Sequence, residues 1–195
     1  MKKLILKTFF KKEVSLIHNN YQRQVLRIKD EFETRVNKLQ KTYNIPKKIF
    51  SDYPHAEMIG IEKDKKNKEI FVFKVLTGRN LSIKLYGIKS NGSHQIPRIL
   101  ATVYKELHHE PKYIWIDDII IPKEEIGNGS IAMKYLIKVA KQMEVSQISG
   151  ILSPVDSDHF DKLEHFYKKF GFEVKFNTGR TEGSIKKILP ICEET

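Results

Sequence analysis

The chain predicts an α/β fold behind a long amphipathic N-terminal helix, and three stretches carry that expectation. Residues 112–176 alternate a strongly β-prone run, a helix, a strand, a second helix and a third strand, the order of a sheet with buried central strands. Residues 56–88 read as a strand meander with a tight turn at Thr77-Gly78-Arg79-Asn80. Residues 12–43 hold neither glycine nor proline. Their apolar positions Ile17, Tyr21, Val25, Ile28, Phe32, Val36, Leu39 and Tyr43 step by threes and fours, which makes one helical stripe.

In chain order, residues 2–10 alternate poorly and are expected as a short strand. Within the helix that follows, Ile17, Ile28 and Leu39 lie eleven residues apart, a period of about 3.67 that suits a nearly straight helix. Its stripe needs a cover, either its own domain or a second copy, so a homodimer through residues 12–43 is one expectation. Asn44-Ile45-Pro46 is expected to end the helix, because proline disfavours helix in the residue before it. The domain division follows: 1–50 as strand and helix, 51–195 as the main domain. Strands are expected at 56–61, 69–76 and 81–88, with Asn91-Gly92-Ser93 closing the meander. Pro97 suits the first turn of a helix to about residue 107. A strand over 112–121 stops at Pro122; helices at 130–143 and 159–170 then alternate with strands at 147–152, 172–176 and 184–189. No internal repeat or low-complexity tract is visible.

Composition narrows the class. Of 195 residues 40% are hydrophobic and 30% charged, enough for a core and against wholesale disorder. The one cysteine, Cys192, excludes an intrachain disulfide framework and a Cys-rich zinc module. The opening apolar run is broken by Lys7 and Lys11, and no later run reaches about 18 apolar residues, so a soluble, cytoplasmic protein without a membrane partner is expected. Net charge is +11. Residues 1–50 carry 13 basic side chains against four acids, whereas 51–195 carry 22 against 20. A basic segment of that size attracts nucleic acid, an acidic partner or an anionic surface; a solvated helix face explains it equally.

Two stretches carry chemistry. Gly127-Asn128-Gly129-Ser130 follows a buried strand and opens a helix. Glycines there take positive φ at little cost, so successive N–H groups and the positive end of the helix make a site for phosphate or pyrophosphate. The pattern is neither a P-loop nor a dinucleotide fingerprint, and an ordinary strand-to-helix turn remains the alternative. Leu163 to Phe172 is an amphipathic helix ended by Gly171 at its C-terminal cap, with Phe172 opening a strand.

Taken together, these stretches resemble the GNAT superfamily of N-acetyltransferases over about residues 112–176. The family's pyrophosphate motif falls on Glu124-Glu125-Ile126-Gly127-Asn128-Gly129, with Glu124 where the family usually carries glutamine or arginine. The later motif falls on Tyr167, Phe170, Gly171 and Phe172. The resemblance implies a mixed, mostly antiparallel sheet flanked by helices. It also implies acetyl-CoA as acyl donor, direct transfer to a primary amine, and no metal. Backbone N–H groups of Ile126, Gly127, Asn128, Gly129, Ser130 and Ile131 would hold the diphosphate. Main chain at Ile119, Ile120 and Ile121, where the strand splays from 147–152, would polarise the thioester carbonyl. Tyr167 would protonate the departing thiolate, although Leu163, Phe166, Tyr167 and Phe170 at helical spacing equally fit a core stripe.

Asp117 and Asp118 sit mid-strand in an apolar run, where an unpaired carboxylate is costly. One could take the amine's proton; a β-bulge or a lysine partner explains them as well. Strict alternation points them to opposite faces, so at most one reaches the acceptor. Ser153 to Asp158 follows the last parallel strand and could line the pocket mouth, with Asp158 as a helix cap. His108-His109-Glu110 lacks metal-ligand spacing, and His165 reads as a surface residue. The second functional reading is a noncatalytic GNAT-like binding module whose basic helix serves nucleic acid or a protein partner.

Overall fold

The computed structural model describes residues 2–87, 96–105, 111–122 and 127–190, without the side chains of 2–9, 41 and 42. The expected turn at 91–93, the segment 108–110, Glu124 to Ile126 and Cys192 lie outside the described residues. The chain divides into two units, 1–45 and 46–195.

Helix α1 (Lys2–Asp52) supplies the whole first unit and the opening turns of the second. Two expectations are corrected here. Residues 2–10 are helical, since a stretch without alternation has no sheet face to bury, and extending an existing helix costs far less than starting one. Pro46 lies inside the helix and does not end it. An interior proline removes one hydrogen bond and crowds the preceding turn. Ile49, fully buried one turn later, anchors the backbone beyond it.

The second unit is one eight-stranded sheet in the order β1-β2-β3-β4-β5-β6-β8-β7. Its strands are β1 (Ala56–Lys63), β2 (Glu69–Thr77), β3 (Asn80–Gly87), β4 (Arg98–Tyr104), β5 (Tyr113–Ile120), β6 (Gln147–Leu152), β7 (Glu173–Phe176) and β8 (Gly183–Ile188). β1 to β5 form an antiparallel meander, β5 and β6 run parallel, and β8 pairs antiparallel with both β6 and β7. This is the mixed, mostly antiparallel class that the two motifs imply. The expected helix at 97–107 is the strand β4. Ile99, Ala101 and Val103 are buried in alternation with half-buried Arg98, Leu100 and Thr102, and partners on both sides override Pro97's suitability for a helix start.

Helices α2 (Asn128–Gln142) and α3 (Phe160–Lys169) cover one sheet face, α2 over β3 and β4 and α3 over β7. The core between them holds Val72, Ile83, Ile114, Met133, Leu136 and Ile148, all essentially inaccessible. On the opposite face Phe71, Phe73 and Ile96 are buried with Ile49, and Tyr53 packs on Phe73 with ring centroids 5.3 Å apart. Farther along that face Tyr104 stacks on Tyr113 at 4.7 Å, and Ile151 and Ile188 stand exposed.

α2 also reaches β1. Tyr135 Oη donates to Glu62 Oε1 at 3.1 Å, and Lys134 Nζ donates to the same oxygen at 2.7 Å. Gly60 lies directly under the Tyr135 ring, and a Cβ there would meet the ring edge and its hydroxyl. Gly60→Ala is therefore expected to lower stability by about 1–3 kcal/mol, the range for overpacking, read as a fall in urea midpoint. Adding Tyr135→Leu should recover part of the loss; no change from Gly60→Ala alone would show that the ring is free to shift.

Candidate active site

The site begins where the sheet's parallel pair comes apart. β5 and β6 pair from Tyr113–Gln147 to Ile116–Gly150 and no farther, although β5 continues to Ile120 and β6 to Leu152. The cause lies on β5's other edge. Leu100 pairs with Asp118 and Ala101 with Ile116, so Asp117 is an extra residue, and a bulge increases strand twist locally. The strands lie close just before they part: a Cβ on Gly150 would lie 3.1 Å from the Ile116 carbonyl oxygen.

The bulge also overturns the expected division of the two aspartates. Thr102 Oγ1 donates to Asp117 Oδ2 at 2.9 Å, and Thr102, flanked by buried Ala101 and Val103, belongs to the face opposite α2. Asp118 is opposite Leu100, which belongs to that same face. Both carboxylates are exposed there together, because the extra residue breaks the two-residue period that alternation assumes. Ile119 and Ile120 follow, half-buried, with Ile121 just past the strand.

Gly127 caps α2 in the left-handed conformation, φ 87°, with no side-chain cap. The first helical bond runs from Ile131 N–H to the Gly127 carbonyl at 3.1 Å. The N–H groups of Asn128, Gly129 and Ser130 therefore have no partner within the helix and form its positive end. A Cβ on Gly129 would lie 3.5 Å from the Phe166 ring and 3.7 Å from Ile121, so the turn is held between α3 and the end of β5. Lys169 Nζ lies 3.3 Å from Ser130 Oγ and adds a full positive charge. Asn128 is buried, and its Oδ1 has no hydrogen-bond partner among the described residues. Three N–H donors without a partner in the helix, a cation, and a buried acceptor unpartnered among the described residues fit a phosphorylated ligand with amide groups.

α3 ends in a Schellman motif: Phe172 N–H reaches the Tyr167 carbonyl at 3.1 Å, and Gly171 takes φ 74°. That turn folds Phe172 back onto Tyr167, which meets Phe172 and Phe166 edge-on at 5.5 and 5.3 Å. Tyr167 is only 4% exposed. Burial pushes its phenol well above the ordinary value, and the negative charges of Asp156 and Asp118 push it further. Tyr167 is thus a core aromatic that also lies within electrostatic reach of Asp118.

Sequence reasoning missed Lys169, whose signal was a cation two residues past Tyr167, and it did not single out Asp156 within 153–158. That stretch is a 3-10 turn (Pro154–His159) capped by Ser153, whose Oγ accepts from Val155 N–H. Asp158 is not the α3 cap; His159 occupies that position. His159 and His165 are exposed. A shallow cleft of about 360 Å³, lined by Ile151, Lys175, Glu182 and Ser184 among others, begins one residue past the last β5–β6 pair. Among the described residues no three His, Cys, Asp or Glu side chains cluster as a metal site. No described helix is long and apolar enough to cross a membrane.

No family model matches the chain. An uncharacterized protein of Bacillus subtilis (strain 168), YocC, is 29% identical over 161 residues, 82% of this chain and 94% of that protein. Among solved structures, the ribosomal-protein-S18-alanine N-acetyltransferase of Escherichia coli aligns at 17% identity with a TM-score of 0.41, over 62% of this chain and 74% of its own. A protein described as a streptothricin acetyltransferase, from Bacillus anthracis str. Ames and solved in complex with acetyl coenzyme A, aligns at 13% identity with a TM-score of 0.40. That alignment covers 73% of this chain and 94% of the other.

The buried phenol links folding to alkaline pH. A tyrosine whose folded pKa is raised contributes stability that is full below the unfolded value near 10 and is lost as pH rises above it. Urea midpoints should fall more steeply between about pH 10 and 12 in the parent than in Tyr167→Phe. Equal slopes would mean that the phenol ionises as freely folded as unfolded.

Proposed function

We propose that this chain is an acetyl-CoA-dependent N-acetyltransferase of GNAT type that transfers acetyl directly to a primary amine. The observation that carries the proposal is the meeting of three features near one fork in the sheet: the N–H groups of Asn128 to Ser130 that lack a helical partner, unpaired strand ends, and Tyr167 within electrostatic reach of Asp118. Acetyl-CoA is the donor substrate, and its diphosphate lies on the α2 amides with Lys169 balancing charge. The thioester reaches into the fork, where a main-chain N–H among Ile119, Ile120 and Ile121 donates to the carbonyl oxygen.

The acceptor comes from the face that carries both aspartates. Its nitrogen attacks the thioester carbon, the C–S bond breaks, and the electron pair leaves on sulfur. Asp118 takes the amine's proton; Asp117, held by the Thr102 hydroxyl, sets the shape of the bulge that presents it. Tyr167 supplies a proton to the thiolate. A phenol with a raised pKa is by itself a poor donor to a thiolate, since thiols ionise near 8.5. Protonation of Asp118 removes one of the charges that raise the phenol's pKa, so the first proton transfer makes the second easier. The cleft at Ile151 and Glu182 receives the acceptor, with Glu182 facing its positive charge. The +9 excess over residues 1–50 suits an amine carried on an anionic polymer such as RNA and disfavours a basic protein. A single cysteine suits work in the reducing cytoplasm.

Acetyl-CoA should shift the melting temperature, and an amine panel should release free thiol. Tyr167→Phe is expected to lower kcat about 100-fold while leaving acetyl-CoA affinity within about twofold. If millimolar acetyl-CoA does not bind while RNA or DNA binds in a salt-sensitive way, the chain is the noncatalytic module instead.

A further inference from the structure

The stripe on α1 is a repeat, contrary to the expectation that the chain holds none. Val14, Ile17 and Tyr21 recur as Val25, Ile28 and Phe32, then as Val36, Leu39 and Tyr43, each set eleven residues after the last. Eleven residues make three turns at about 3.67 per turn, so the three sets stay on one face of a nearly straight helix. That face is largely bare: Val14, Ile17, Tyr21, Ile28, Phe32, Leu39 and Tyr43 are 62–76% exposed, Val25 is 42% exposed, and Val36 is half-buried. An uncovered apolar strip about 44 Å long, from 14 to 43, is well beyond what an isolated soluble helix presents without a partner.

We infer that two copies of this chain pair through residues 14–43 as an antiparallel helix dimer with its two-fold axis beside Ile28. The spacing reads almost the same in both directions. About that axis Val14 meets Tyr43, Ile17 meets Leu39, Tyr21 meets Val36, Val25 meets Phe32, and Ile28 meets its own copy. Every aromatic ring falls opposite a valine, the large-against-small matching by which facing layers interdigitate. A parallel pair in register sets Tyr21 on Tyr21 and Phe32 on Phe32, and leaves the valines facing one another across gaps.

Charge agrees with the antiparallel choice. A parallel pair brings Lys11 and Lys12 of both copies to the same end and aligns the helix dipoles unfavourably. Nucleic acid is the poorer occupant of this face, because eight apolar side chains offer phosphate nothing; the basic groups on the rest of the helix stay exposed in the dimer. An isologous contact of this kind closes on itself and does not propagate.

Sedimentation of the full chain over micromolar concentrations tests the pairing, with far-UV circular dichroism as a check that α1 stays helical. The parent should be a dimer. Val25→Phe, which sets ring against ring, should weaken association at least tenfold, and the swap Val25→Phe with Phe32→Val should restore it. Register is read by a short thiol crosslinker in a Cys192→Ser background. Ile28→Cys should crosslink to itself. Tyr21→Cys should not, its two copies being about 22 Å apart, but should link to Val36→Cys when the two proteins are mixed. A monomer at all concentrations, self-linking of Tyr21→Cys as ready as that of Ile28→Cys, failure of the swap to rescue, or association only with added nucleic acid would each overturn the inference.

Discussion

Two parallel strands share a ladder only while their twists agree, and for β5 and β6 that agreement ends at Ile116 and Gly150. The rest of the candidate site depends on this point. A single extra residue, Asp117, twists β5 away from its neighbour and at the same time brings two carboxylates to one face. The turn at Gly127 and the end of α3 then close on the opened end, with Phe166 and Ile121 both within van der Waals reach of Gly129. Fork, glycine turn and phenol therefore meet at one local irregularity and the packing it permits.

Tyr167 shows how such a site reconciles stability with chemistry. Its ring belongs to the core and is fixed edge-on between Phe166 and Phe172. Its hydroxyl is kept protonated by burial and by the charges of Asp156 and Asp118. A group fixed this firmly has little conformational freedom left to lose, and one of the charges that raise its pKa comes from an exposed carboxylate on β5, at Asp118. The same arrangement makes the residue costly to remove for reasons unrelated to acid catalysis.

The long helix obeys different physics. α1 is amphipathic over many turns, yet the core of the second unit uses only its last ones, around Ile49. Pro46 falls at the division between the units and does not end the helix, because one lost hydrogen bond and one crowded turn are small beside the propagation of a 51-residue helix and the burial that follows. Residues 2–10 are helical and not the expected strand for a related reason. Weak alternation over nine residues says little when a strong helical neighbour adjoins it.

The amino-acid sequence by itself determined the boundaries of most elements after residue 50, the glycine turn before α2, the Gly171 stop of α3 and the eleven-residue rhythm of α1. All of these are written in local signals: turn residues, caps and the period of apolar positions. It failed at β4, where Ile99, Thr102 and Val103 are β-prone but Pro97 pointed locally to a helix, and only partners on both sides decided the matter. At Asp117 and Asp118 the bulge was among the sequence's own alternatives and the register bears it out, but strict alternation gave the wrong faces, since a bulge is a relation between two strands. Lys169 reaching Ser130 joins residues 39 apart along the chain, and Asp156 acts on Tyr167 from a separate element, the 3-10 turn before α3. Only the tertiary fold brings such groups together, because pattern along a chain encodes conformation within an element, whereas a site is made of distances between elements.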